Sequence, residues 1–418
     1  MKLSPATLGG CIAAIPSKSA AHRLFIAASL ADQTSHWALP TSSVDIDTTL
    51  SCMQALGANI DRHDTEVHIT PIQAVNTQPT IDCQESGSTL RFLLPVCAAL
   101  GTASTFIGQG RLPQRPIADF LSVLKNLGAQ TDSDSLPLTI HGPLHGGTAA
   151  LPGHVSSQYL TGLLLAAPLL NEDLDIHLTT PLQSRPYIDL TIDVLHQFGV
   201  EVTVNSNHFH VDADAAYRLP KTPLSIEGDW SNAAFFLAAG ALSAPVTMTG
   251  LKFDSSQGDK AIVELLRRFG AKVTITDDAV TVAPAPLHAQ TISVKEIPDA
   301  LPILAVIAAQ AEGTTVFTDA ERLRLKESDR IATTSALLSA LGVPCESDAS
   351  SLRVTGVQQL HGNVTVDSAN DHRIAMAAAI AALNCDAPII LNGASAVNKS
   401  YPHFFNDYNS LGGDASGI

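Results

Sequence analysis

The densest run of charge in the chain is Arg322-Leu323-Arg324-Leu325-Lys326-Glu327-Ser328-Asp329-Arg330. Within it Lys326, Glu327 and Arg330 alternate in sign at short spacing. A carboxyl flanked by cations is a proton carrier whose pKa is set by those neighbours; the same run also suits a solvated helix face. Asp299 heads Asp299-Ala300-Leu301-Pro302-Ile303-Leu304. An acid at a helix start is stabilised by the helix dipole and stays ionised. That suits a general base, a hydroxyl acceptor or a plain N-cap. Asn370-Asp371-His372-Arg373 sets four polar groups before an apolar helix. His372 there has two readings, a proton shuttle or a hydrogen-bonded structural histidine.

A second set of residues suits anion binding. Pro16-Ser17-Lys18-Ser19 runs straight into Ala20-Ala21-His22-Arg23-Leu24, a polar turn entering an apolar helix. A helix start offers unpaired N–H groups and a positive dipole end, and Lys18 and Arg23 add full charges about one turn apart. Glu85-Ser86-Gly87-Ser88-Thr89 is a small-residue loop at another helix start. Its glycine allows close backbone approach and its hydroxyls are donors, so a phosphate or carboxylate fits there. Ser156-Ser157-Gln158 repeats the device without charge. Each of these is equally an ordinary N-cap. Four further cations stand where solubility alone does not call for them. Arg91 lies inside an apolar helix and Arg115 is pinned before Pro116. Arg373 opens a helix of Ile, Ala and Met, and Lys399 follows Ala396-Val397-Asn398.

Those cations are conspicuous because the chain has few. Lys and Arg number 24 against 40 Asp and Glu, a net charge of −16. No Lys or Arg lies between Lys125 and Arg185, and only Arg353, Arg373 and Lys399 follow Arg330. Such a balance argues against an extended nucleic-acid surface and is compatible with a small anionic substrate. At 45% hydrophobic and 15% charged, the 418 residues describe a packed globular protein with room for roughly two to four domains. The six cysteines are scattered, without C-x-x-C or zinc-like spacing, and read as reduced core thiols of a cytoplasmic protein. Met1 to Gly10 has no basic flank leading into a long apolar core, and runs such as Tyr159 to Leu170 are too short to cross a bilayer. Neither a membrane nor a nucleic acid is expected as a partner.

The elements that must carry these residues recur. Apolar-x-x-apolar-Gly appears as Met53–Gly57, Leu124–Gly128, Leu195–Gly199, Leu266–Gly270 and Leu338–Gly342, and in degraded form as Tyr408–Gly412. The glycines are 71, 71, 71, 72 and 70 residues apart. A glycine after a periodic apolar run is a helix C-cap, and strand-like segments such as Val200–Val204 and Ala271–Ile275 follow. Polar turns entering almost uncharged helices keep the same period, near Ser17, Ser86, Ser156, Asp229, Asp299 and Asp371. Two landmarks in register over six copies predict six β-α-β-α-β-β units, each with one buried and one surface helix. Equivalent packing would aim the polar helix starts the same way and favour an anionic ligand. Leu3 to Ile15 precedes the first buried helix and is free to complete a later unit, which would make the C-terminal domain discontinuous.

Taken together, four stretches resemble the enolpyruvyl transferase family, in the branch whose acceptor is shikimate 3-phosphate. They are Pro16-Ser17-Lys18-Ser19, Arg111-Leu112-Pro113-Gln114-Arg115-Pro116, Leu325-Lys326-Glu327-Ser328-Asp329-Arg330 and Asn370-Asp371-His372-Arg373, and the likeness covers essentially the whole chain. The resemblance implies an α/β (α+β) fold, a two-domain inside-out α/β barrel of six β-α-β-α-β-β repeats, three per domain. Residues 1–16 and 228–418 would form one domain and 17–227 the other, with the active site in the cleft between them, closing on the first ligand. It implies enolpyruvyl transfer from phosphoenolpyruvate with no metal and no organic cofactor. By match to the family, Lys18, Gly87, Arg115, Gln158, Arg330, Arg373 and Lys399 would hold phosphoenolpyruvate. Lys18, Ser19, Arg23, Ser156, Ser157, Gln158, Ser184, Tyr187, Asp299 and Lys326 would hold shikimate 3-phosphate. Asp299, Glu327 and Lys18 would be catalytic. A monomer is expected, because no second interface pattern is visible.

The chain departs from the family in places. Glu85-Ser86-Gly87-Ser88 stands where some members read Asn-Ala-Gly-Thr, Arg322 stands where some place an Asn, and Arg185 replaces a Lys. The sibling transferase that acts on UDP-N-acetylglucosamine usually has a loop Cys where this chain has Gly110. An RNA 3′-phosphate cyclase-like protein would need a catalytic His in its own motif, which is not found. A repeat-built binding ring without chemistry would explain the sixfold period but not the placement of Lys326-Glu327 and His372-Arg373.

Overall fold

The computed structural model describes residues 1–221 and 225–417. They form two compact units, each with its own apolar core: a central unit, Pro16–Ile226, and a C-terminal unit of Met1–Ile15 with Glu227–Ile418. One repeat shows the pattern. Strand Gly147–Leu151 leads into the buried helix Ser157–Ala166, and strand Leu174–Leu178 returns parallel to the first with Ala149 opposite Ile176. The surface helix Arg185–Gln197 follows, and a hairpin of Thr203–Asn205 with His208–Val211 closes the sheet antiparallel. The same order of one parallel and two antiparallel pairings recurs in four other sheets.

The remaining sheet, Ser35–Ala38 with Glu66–Thr70 and Asn59–His63, has three strands among the described residues. The strand that precedes its helix in sequence, Gly10–Ala13, pairs instead with Val246–Thr249 of the C-terminal unit. Lys2–Ser4 likewise lies between Ile389–Asn392 and Asp414–Ser416. The fold is a mixed α/β architecture of two domains built from six repeats, the inside-out arrangement expected from the resemblance.

The two sequence landmarks have a local cause. Gly57, Gly128, Gly199, Gly270, Gly342 and Gly412 all have positive φ, at or just beyond a helix end, where a side chain would be strained. At the opposite end of the buried helices, Ser17, Ser86 and Ser156 accept hydrogen bonds from the amides of Ala20, Thr89 and Gln158. Asp229 and Asp371 do the same for Asn232 and Arg373. Helices behind these caps, such as Trp230–Leu242, which carries no charged side chain, and His372–Ala382, whose one cation is Arg373, bury nearly every side chain. Each large aliphatic group hidden this way contributes about 1.5–3 kcal/mol. The cores thus anchor helix starts whose polar residues make up the sites.

Candidate active site

In the C-terminal unit the anchor is Arg330, the first residue of helix Arg330–Ala340, which Asp329 caps. Its side chain is 1% exposed and meets three carboxylates. Nη1 donates to Asp299 at 2.5 Å, Nη2 to Glu327 at 2.8 Å and Nε to Asp371 at 2.8 Å. These neighbours overcome burial and hold the guanidinium well above the usual arginine value. Asp371 is fully buried; it also caps the Arg373 amide at 2.9 Å and accepts from the Ser328 hydroxyl at 2.9 Å. One acid therefore sets both Arg330 and Arg373.

Asp299 is not a helix cap. It sits in the 3-10 turn Pro298–Ala300, and the N-cap position of helix Leu301–Ala308 is Ala300. Its carboxylate instead faces cations: Lys326 Nζ at 3.2 Å and Arg373 Nη2 at 3.6 Å join Arg330. Burial pushes the Lys326 ammonium below its ordinary value, opposed by Asp299. Lys399 donates to the Asn370 carbonyl at 2.5 Å. That carbonyl is presented by two left-handed residues, Ala369 (φ 50°) and Asn370 (φ 54°), a conformation that costs about 1–2 kcal/mol for alanine. His372 is buried beside Asp371, with Nδ1 3.8 Å from Oδ1. Asp299 and Glu327 are the partly exposed carboxylates on the guanidinium, so they can exchange protons with a ligand while Arg330 keeps its charge.

In the central unit two buried arginines, Arg23 and Arg91, donate to neutral oxygens. Arg23 is 3% exposed. It donates to Thr191 Oγ1 at 2.8 Å, the Ser19 carbonyl at 2.6 Å, the Tyr187 carbonyl at 3.0 Å and Thr161 Oγ1 at 3.4 Å, and lies over the Phe92 ring. Burial pushes its guanidinium down to about 9. Lys18 pairs with Asp45 at 2.8 Å. Arg91 reaches the carbonyls of Gly87 at 3.2 Å and Pro116 at 3.1 Å, and the Tyr159 hydroxyl donates to the same Pro116 carbonyl at 2.7 Å. Those bonds fix the backbone beside Arg115. A methyl on Gly87 would come within 2.8 Å of Arg115 Cζ and 3.0 Å of Arg91 Nη1, so only glycine lets both guanidiniums lie against the helix start. Gln158 Nε2 donates to Ser88 Oγ at 3.0 Å, which joins the Ser86 and Ser156 helix starts. Ser184 is buried at the head of helix Arg185–Gln197 in the left-handed region (φ 57°).

The expected residues therefore fall into two groups. Lys18, Ser19, Arg23, Gly87, Arg115, Ser156, Ser157, Gln158, Ser184 and Tyr187 lie in the central unit. Asp299, Lys326, Glu327, Arg330, Arg373 and Lys399 lie in the C-terminal unit. Within the first, Arg23 links Ser19 to Tyr187, and Gly87 lies against Arg115. Within the second, all but Lys399 share ion pairs, and Lys399 joins through Asn370. Arg185, one of the departures, pairs with Asp189 of its own helix at 2.6 Å. Sequence reading missed Asp45. The signal was an acid in the first turn after the Ser43 cap, but its partner Lys18 is 27 residues away. It also gave Asp371 no role, although an acid in the cap position directly before Arg373 was visible. Among the described residues, Asp173, His210 and Asp212 form one group with metal-ligand geometry; none is among the residues above.

Helix starts rich in cations, and two carboxylates braced on one guanidinium, suit an enzyme that acts on anionic substrates. The chain belongs to the EPSP synthase (3-phosphoshikimate 1-carboxyvinyltransferase) family, whose model matches residues 4–408. It is 39% identical to the 3-phosphoshikimate 1-carboxyvinyltransferase of Clostridium novyi, over 99% of this chain and 97% of that one. It is 38% identical to the protein of that name from Methanocorpusculum labreanum, over 99% of both chains. Among solved structures it is similar to the EPSP synthase of Acinetobacter baumannii, with a TM-score of 0.81 at 25% identity, covering 100% of this chain and 99% of that one.

Proposed function

We propose that this chain transfers the enolpyruvyl group of phosphoenolpyruvate to the 5-hydroxyl of shikimate 3-phosphate and releases phosphate, a step towards chorismate and the aromatic amino acids. The hydroxyl oxygen adds to C2 of the enol, its proton passes to a base, and C3 takes a proton. The tetrahedral adduct then loses phosphate from C2 and a proton from C3, which restores the double bond. The observation that carries the reading is the pair of partly exposed carboxylates, Asp299 and Glu327, held on one buried guanidinium.

In this reading Asp299 takes or positions the 5-hydroxyl proton and Glu327 delivers a proton to C3. Both lie within ion-pair distance of the Arg330 guanidinium. Arg330, Arg373, Lys399 and Arg115 hold the carboxylate and phosphate of phosphoenolpyruvate, Gly87 gives backbone room, and Gln158 bridges the two substrates. Lys18 assists phosphate departure by neutralising its developing charge. Ser19, Arg23, Ser156, Ser157, Ser184, Tyr187 and Lys326 hold shikimate 3-phosphate, with helix-start amides adding to the hydroxyls. The assignment draws on groups from both units.

No described helix is long and apolar enough to cross a membrane. The reading takes the protein as a cytoplasmic monomer, which light scattering tests for the oligomeric state. The decisive assay is phosphate release from phosphoenolpyruvate with shikimate 3-phosphate, run beside UDP-N-acetylglucosamine. Release with shikimate 3-phosphate alone is expected. Release with the UDP-sugar alone would overturn the acceptor, and silence with both would overturn the reading.

A further inference from the structure

Behind Arg373 the C-terminal unit buries a carboxylate that the reaction above does not use. Asp259 lies in the short turn Gly258–Ala261 and is 3% exposed. Its Oδ2 accepts from the Ser231 hydroxyl, while its Oδ1 is buried without a hydrogen-bond partner. Ser231 is in the first turn of helix Trp230–Leu242, and its carbonyl accepts from Arg373 Nη1 at 3.1 Å. Asp259, Ser231 and Arg373 thus form one chain of contacts, and the other end of Arg373 faces Asp299 at 3.6 Å. The turn is tied down: Gln257 binds the Trp230 amide at 3.1 Å and the Gly228 carbonyl at 2.9 Å, and Lys260 reaches the Ser255 carbonyl.

A half-satisfied buried carboxylate is a poor choice for a core, because a neutral or apolar group there would serve stability better. Its charged surroundings explain its presence. The groups that face it are Arg373, Asp299 and Asp229, and of these only Arg373 favours the ionised form. We propose that Asp259 is a positioning residue whose carboxylate, working with Ser231, holds the Arg373 guanidinium in place for the anionic end of phosphoenolpyruvate. The proposal rests on the functional reading above and adds a residue to it. Burial outweighs the attraction of Arg373 and raises the carboxyl to about 6, so the brace is fully charged only above that pH.

The test compares wild type, Asp259→Asn and Ser231→Ala for KM of each substrate and for kcat across pH. Near about pH 8, Asp259→Asn should raise KM for phosphoenolpyruvate about tenfold, as expected when a charge-assisted contact is lost, and leave KM for shikimate 3-phosphate nearly unchanged. The ratio of variant to wild-type KM should fall towards one as pH drops through about 6; ionisation of the substrate phosphate is common to both enzymes and cancels. A carboxyl whose pKa is raised in the folded state lowers stability once ionised, so Asp259→Asn should melt no lower than wild type near about pH 8. Equal rises in both KM values, or a ratio near one at every pH, would overturn the proposal. If Asp259→Asn folds poorly, Ser231→Ala, which keeps the carbonyl that Arg373 uses, decides instead: an unchanged KM for phosphoenolpyruvate overturns it. Wild type inactive with both substrates would sink the functional reading rather than this one.

Discussion

Arg23 and Arg330 are both almost completely buried, yet their surroundings are opposite. Arg23 gives its donors to carbonyl and hydroxyl oxygens, while Arg330 gives its own to three carboxylates. Burial therefore pushes Arg23 down, whereas its partners hold Arg330 up. The difference teaches what each arginine is prepared for. Neutral oxygens orient a guanidinium without cancelling its charge, which suits the phosphate site proposed around Arg23. Carboxylates hold Arg330 on three sides and make it a fixed support, on which the proposed proton carriers stand.

The strongest challenge to this contrast targets the carriers. Asp299→Asn and Glu327→Gln keep the shape of each side chain and should each cut turnover about 10²–10⁴-fold in the phosphate-release assay. Normal turnover with a lowered melting temperature would mean that both acids are only counter-charges. Next in size is Arg330→Met. It leaves the fully buried Asp371 without its guanidinium and should cost about 3–5 kcal/mol in urea denaturation. The deficit should shrink on acidification, because protonated carboxyls no longer need the cation. Arg23→Met should cost less, about 1–3 kcal/mol, since only neutral acceptors lose a donor. That deficit should not close on acidification, because those acceptors do not titrate there. Equal losses with equal pH dependence would erase the contrast. The smallest effect is expected from Gly87→Ala. Arg115 can swing away from the new methyl, so KM for phosphoenolpyruvate should rise about tenfold while the melting temperature holds.

Local chemistry made the repeat legible before any coordinates. Gly57, Gly128, Gly199, Gly270, Gly342 and Gly412 mark helix ends because only glycine takes positive φ without strain, and that demand leaves a trace at fixed spacing. Helix starts were legible for a similar reason: a serine or aspartate cap bonds to an amide two or three residues away. Asp299 shows the limit of that logic. It occupies the cap register of its repeat but turns to Arg330, Lys326 and Arg373, and those contacts span between 27 and 74 residues of chain. The same blindness hid Asp45 from Lys18 and Asp259 from Arg373. Spacing along the chain reports what a residue does for its own turn, whereas an ion pair across a unit leaves no period. The three-stranded sheet is the counterpart of a segment the sequence leaves free: Leu3 to Ile15 precedes the first buried helix, and within it Gly10–Ala13 pairs with Val246–Thr249.

That displaced strand bears on how the chain comes into being. Lys2–Ser4 and Gly10–Ala13 are synthesised well before their neighbours at Val246–Thr249, Ile389–Asn392 and Asp414–Ser416. At about 5–20 residues per second the first strand waits roughly 20–80 s for its last partner. The edge of Gly10–Ala13 stays open until Val246–Thr249 is made, and that of Lys2–Ser4 for the whole interval, while the central unit, continuous in sequence, can complete itself. Translation thus imposes an order of assembly, central unit before C-terminal unit, and the waiting strands are where a chaperone has most to protect.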